Sequence, residues 1–168
     1  ENKIGNKNMI LTVINIILTV VSAVGAFKSI AYYKKSKKLE ILTQSNKSLI
    51  EIQKMLKKLQ DALSASNKAS SVRKGFSLKN TLRDIGKELD NSLREIEFSI
   101  PTEYIYEFKK IQKDGSFDLH IYINSYISGE AIKEDVISSR EYNLCQIRLI
   151  EIERWLKKVI SDNEEKLK

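Results

Sequence analysis

With one cysteine, one histidine, one proline and six glycines in 168 residues, this chain has few of the parts from which metal sites, tight loops and catalytic centres are built. A lone cysteine, Cys145, excludes an intrachain disulfide and reads as a packed apolar residue. His120 and Cys145 lie far apart in sequence and cannot make the usual Cys/His zinc set. No glycine-rich phosphate loop and no nucleophile elbow is present. Asp118 and His120 would form an acid/base pair if they shared a strand face, but a solvated polar face is the simpler account of both. We therefore expect no enzymatic activity, no metal and no cofactor.

Charge is missing from Met9 to Phe27, an apolar run of nineteen residues. At about 1.5 Å per residue such a helix covers roughly 28 Å, close to the ~30 Å hydrocarbon core of a bilayer. Within the run Thr12, Asn15, Thr19 and Ser22 recur at spacings of three, four and three, which is one polar stripe on a helix of membrane length. A lone span surrounded by lipid gains nothing from an Asn and three hydroxyls on one face. The stripe asks for a partner helix or for water. A cleaved secretory signal is a second reading, with Lys3 and Lys7 as its basic region and Val24-Gly25-Ala26 as a small-residue cleavage site. Against it, Lys28, Lys34, Lys35, Lys37 and Lys38 follow at once, and export would drag all five across the membrane. A buried helix of a soluble domain is a third reading, for which the run is long. The lysine asymmetry predicts the N-terminus outside and everything after Lys28 in the cytoplasm.

The net charge of +7 is unevenly spread. Residues 1–77 carry 14 basic and 4 acidic groups, whereas residues 78–168 carry 15 basic and 18 acidic. Lys34, Lys35, Lys37 and Lys38 suit anionic lipid headgroups at a juxtamembrane position. Lys54, Lys57, Lys58, Lys68, Arg73, Lys74 and Lys79 are less easily explained that way. They are either a solvated helix face or a place for phosphates to bind. Only Phe76 lies near them, so recognition of single strands by stacking has little support.

Glycine and proline are absent from Ser29 to Ala65, where apolar residues repeat with a seven-residue period. Leu42, Leu49, Leu56 and Leu63 occupy one heptad position; Ser45, Ile52, Leu59 and Ser66 occupy the other. As a coiled-coil seam, leucine at a with Ile52 at d leans towards trimers or tetramers. As a simple amphipathic helix, the same stretch packs on its own domain. Within the span, the pairs Ser22 and Ala26, then Gly25 and Ser29, permit close helix approach.

These patterns predict a mainly α chain: a transmembrane anchor over 1–28, a basic helical stem over 29–65, a Ser/Lys-rich linker over 66–77 and a helical cytoplasmic domain over 78–168. In that domain Leu78, Leu82, Ile85, Leu89, Leu93, Ile96 and Ile100 mark an amphipathic helix stopping before Pro101. Ser99 is the expected cap of a next helix carrying Tyr104, Phe108 and Ile111, which Asp114-Gly115 ends. The alternation of Phe117, Leu119, Ile121 and Ile123 reads as a half-buried strand that pairs with Tyr126 and Ile127 in a short β-hairpin. A last helix has Ser138 and Glu141 as a capping box and Tyr142, Cys145, Leu149, Ile152, Leu156 and Val159 as its apolar stripe.

Two functions follow. In one, several copies of the span enclose an ion-conducting or membrane-permeabilising path lined by Thr12, Asn15, Thr19 and Ser22, under control of the cytoplasmic domain. In the other, the stripe only joins helices, and a membrane-tethered scaffold presents its cytoplasmic module to a protein partner. The order of parts, from the span Met9 to Phe27 through the lysines and heptads to a compact module after Leu78, resembles small single-span effectors of bacterial antiphage and abortive-infection systems. That resemblance implies an inner-membrane location, self-assembly, growth arrest by depolarisation, and control by a nucleotide or nucleic acid bound at the basic stem.

Overall fold

The computed structural model describes residues 2–70, 75–115, 117–129 and 140–167; side chains are described for 14–66, 78–113, 115, 117–129 and 140–167. The chain is mainly α-helical. Helix α1 spans Asn2–Ser70, α2 Gly75–Ser99, α3 Ile105–Gln112, α4 Leu119–Ser128 and α5 Arg140–Glu165, with a 3-10 turn at Thr102–Tyr104. Residues 1–40 make up the bulk of one unit and residues 41–166 the bulk of a second.

In the first unit every described side chain from Ile14 to Lys37 is exposed. Among the described residues, one helix is long and apolar enough to cross a membrane, and its apolar window is not buried. Secretory signals share that length and composition.

The second unit is a helical bundle around one core. Helix α1 contributes Ile52, Met55, Leu59 and Ala62, α2 contributes Leu82, Leu89, Leu93 and Ile96, and α5 contributes Cys145, Leu149, Ile152 and Leu156, all buried. These spacings of three and four are the geometry of a helix presenting one face. Helices α1 and α2 run antiparallel, since Lys47 meets Glu95, Glu51 meets Ser92 and Lys58 meets Glu88. Helix α4 is antiparallel to α2: Glu97 lies against His120, and Gly86 lies against Tyr126 and Ile127. Gly86 is required there, because a Cβ would stand 2.7 Å from the Tyr126 Cβ and 3.1 Å from the Ile127 backbone nitrogen.

Three expectations change on the structure. Ile52 and Leu59 are buried, and Leu49, Leu56 and Leu63 are partly buried against the same core. Ile52 and Leu59 thus pack within the chain's own core, as the simple amphipathic-helix reading has it. The strand expected from Phe117 is helix from Leu119 onward, because Asp118 Oδ1 accepts from the backbone nitrogens of His120 at 3.0 Å and Ile121 at 3.3 Å and caps α4. Leu119, Tyr122, Ile123 and Tyr126 then face inward at helical spacing, while Ile121, inward in the strand reading, is exposed. What remains of the hairpin is a two-residue antiparallel ladder, Lys113 opposite Asp118 and Asp114 opposite Phe117, turned by Gly115 at φ 60°. Ser99, expected as a cap, is the last residue of α2; its buried hydroxyl has no hydrogen-bond partner, and Pro101 precedes the 3-10 turn instead. Ser138 lies outside the described residues.

Candidate functional site

The polar stripe is placed by helix α1. Asn15, Thr19 and Ser22 are exposed on it, and the Thr12 side chain lies outside the described residues. Thr19 Oγ1 donates to the Asn15 carbonyl oxygen at 2.8 Å, one turn back. A hydroxyl bonded to its own helix is a weaker donor to any neighbour, although it still accepts. The Asn15 carboxamide, with two donors and one acceptor group, is the strongest polar feature of the stripe. Asn15 and Thr19 share a shallow groove with Ile16 and Val20, so polar and apolar surfaces alternate over one turn.

The basic residues separate into two groups. Lys34, Lys35 and Lys37 are exposed and Lys38 is half-buried. Further along, Lys54 Nζ lies 2.6 Å from Glu51 Oε1 and Lys58 Nζ 2.6 Å from Glu88 Oε2. The Glu88 hydrogen bond holds the Lys58 ammonium above its ordinary range. Lys57 and Lys79 are exposed; the side chains of Lys68, Arg73 and Lys74 lie outside the described residues. Of the positions considered for phosphate binding, two are therefore already matched by carboxylates. Leu42 is half-buried and, with the other heptad positions, belongs to the bundle unit.

The Asp118 and His120 side chains do not pair in an acid/base arrangement. Asp118 is a helix cap, and His120 Nε2 lies 2.7 Å from Glu97 Oε1, which also accepts from Gln112 Nε2 at 2.9 Å. One carboxylate so ties α2, α3 and α4 together. Glu97 also lines a cleft with Ile105, Phe108 and Lys109. Phe108 also stacks on Trp155 at 6.2 Å, Tyr104 meets Trp155 edge-on at 6.1 Å, and Trp155 Nε1 donates to Glu107 at 2.9 Å. Nothing in the sequence marked Glu97 or Gln112, since a Glu and a Gln on helix flanks are ordinary surface residues until the fold brings them together.

The remaining nucleophiles are quiet. Burial pushes the Cys145 thiol far above its ordinary range, so almost no thiolate forms. Tyr122 and Tyr126 share a hydroxyl hydrogen bond of 2.7 Å in the core, and burial raises both phenols. Among the described residues no cluster of His, Cys, Asp and Glu could hold a metal ion. Compared with protein-family models, curated proteins and solved structures, the chain matches none.

Proposed function

We propose that this chain is a single-span membrane protein whose copies associate through the Asn15, Thr19 and Ser22 face and enclose an ion-conducting path controlled by the helical module. The single observation that carries the reading is a polar stripe on a helix segment whose apolar side chains are otherwise exposed all round. Exposed Ile, Leu and Val over this length need a hydrocarbon solvent, and the carboxamide at Asn15 then needs a polar neighbour within it. Rings of amide and hydroxyl from several copies would supply that neighbour and leave a narrow wet bore. The lysines from Lys28 to Lys38 put the module in the cytoplasm. The role suggested by the sequence resemblance, permeabilising an inner membrane on a cytoplasmic signal, is compatible with this arrangement.

A membrane-tethered scaffold is the second reading. The burial of Ile52 and Leu59 within the chain favours it, because self-association then rests on the span alone. So does Thr19, whose donor is spent on its own helix. The two readings part on ion flux from liposomes, measured for the native protein and an Asn15→Leu, Thr19→Val variant, with oligomer mass determined on both. The pore predicts flux from the native chain and none from an equally oligomeric variant. Equal flux from both puts the conducting path elsewhere than the stripe, and none from either across pH and candidate ligands selects the scaffold.

A further inference from the structure

We infer that Tyr32 and Tyr33, with Lys28, Lys34 and Lys35, form a one-sided interfacial belt that seats helix α1 in the headgroup layer of an anionic leaflet. The inference rests on the single-span reading and adds the partner and the depth to it. Phe27, Tyr32 and Tyr33 are 74%, 73% and 70% exposed, more than any of the exposed aliphatic side chains between Ile14 and Val24. Phe98 and Tyr106 in the bundle are exposed as well, so it is the position of Phe27, Tyr32 and Tyr33 at the end of the apolar run that points to an interface. No aromatic residue occurs in the first 26 positions, so Phe27, Tyr32 and Tyr33 mark the lysine-rich end of the apolar run.

The spacing fits a leaflet boundary. After the apolar run charge returns at Lys28, which puts the edge of the hydrocarbon near Phe27. From Phe27 to Tyr33 the helix rises about 9 Å, against a headgroup layer of roughly 5–8 Å per leaflet. Phe27 thus sits at the hydrocarbon edge and the two phenols at the outer part of the headgroup layer, where their rings fold back to an apolar surface and their hydroxyls meet polar groups. Lys28, Tyr32 and Lys35 follow at spacings of four and three, so they share one face, with a cation on either side of the phenol. Lys34 and Lys35, both exposed, stand about 10–12 Å beyond Phe27 and reach back to the phosphates along their stems, as Lys28 reaches outward to them along its own. Each ammonium near an anionic surface strengthens the attachment of the segment to it about fivefold. The unbroken helix from Asn2 to Ser70 passes through this layer without a turn, so the belt fixes its depth by side chains alone.

The test uses the full chain reconstituted in mixed phosphatidylcholine and phosphatidylglycerol vesicles. Tyr32→Trp in a Trp155→Phe background, and separately Tyr33→Trp, supply a reporter, with the parent chain carrying only Trp155 as the blank. Flotation after alkaline carbonate treatment is measured first; a chain that does not float loses both the spanning reading and the belt. For a chain that floats, the belt predicts strongest quenching by bromines near the headgroup end of the acyl chain. Strongest quenching by terminal bromines, or none above the blank, overturns the belt and leaves the span standing. Energy transfer to labelled phosphatidylglycerol should exceed that to labelled phosphatidylcholine, and Lys28→Glu, Lys34→Glu, Lys35→Glu should bring the ratio down to about one or below. An unchanged ratio overturns the choice of an anionic leaflet.

Discussion

Helix α1 carries two patterns. Over residues 14–27 it is apolar nearly all round with one polar stripe, and its apolar side chains are exposed. Over residues 41–66 the pattern inverts: one apolar stripe, Ile41, Ile52, Met55, Leu59 and Ala62, is buried, and lysines on the flanks find carboxylates. Backbone geometry is the same in both stretches, so secondary structure carries no information about which solvent each was selected for. Hydroxyls show the difference most clearly. In the first stretch Thr19 and Ser22 are exposed, whereas in the second Ser45 and Ser48 are fully buried and their hydroxyls lack a partner. A hydroxyl that would serve as a helix contact in lipid is a cost in a protein core.

The comparison breaks if truncating the two stretches has the same effect. Leu59→Ala should destabilise the bundle by about 2–5 kcal/mol, the cost of a cavity at a fully buried leucine. Leu18→Ala, at a side chain 58% exposed, should leave the bundle's denaturation midpoint unchanged. Equal losses in denaturant titrations of the two full-length variants would mean that the first stretch packs against protein after all. Glycine gives a second pair. At Gly86 the alanine methyl meets backbone and a Cβ of α4, and overpacking of about 1–3 kcal/mol outweighs the ~1 kcal/mol of helix propensity gained. At Gly25 nothing lies within 4 Å, so alanine should leave bundle stability alone and act only on association of copies, read as oligomer mass in detergent.

Serine sharpens the contrast with a gain in stability. Ser45→Ala and Ser48→Ala each remove a buried, unpartnered hydroxyl and improve helix propensity, so each should stabilise the bundle by about 1 kcal/mol. Ser22→Ala, exposed, should not register in the same thermal melts.

Much of this was legible from periodicity. The four-three spacing of Leu82 to Ile100 and of Tyr142 to Val159 reads directly as two buried faces, because a core-facing stripe is a local property of a helix. The segment from Phe117 misled for a definable reason. Alternating apolar residues in a short run satisfy both periods, and Asp118 decides between them by capping, which periodicity does not see. The heptads were legible as a stripe but not as to their partner: an apolar seam looks the same whether a second copy or α2 covers it. The His120–Glu97–Gln112 cluster was not legible at all, since its members come from three helices and meet only in the tertiary fold. Asn15 and its neighbours stood out because polar residues are rare in an apolar run, a contrast that needs no structure.

The smallest expected effect lies where the second stretch of α1 meets α2 through charge. Burial pulls the Glu51 carboxyl upward, but hydrogen bonds from Lys54 and Ser92 outweigh it and hold the group below its ordinary range. Because the folded value lies below the unfolded one, this pair contributes stability above the ordinary carboxylate range, and the contribution is lost as pH falls through the folded value. Lys54 is well exposed, so the contribution is about 1 kcal/mol or less. Glu51→Gln should therefore lower the midpoint slightly at pH 7 and flatten its fall below about pH 4. It should also remove part of the salt dependence, since Lys47 and Lys54 both act on this carboxylate. Denaturant titrations of native and variant chains at pH 3 and pH 7 measure the difference. A variant that loses more stability at pH 3 than at pH 7 would show that Glu51 serves the bundle by packing, as the apolar stripe beside it does, and not by charge.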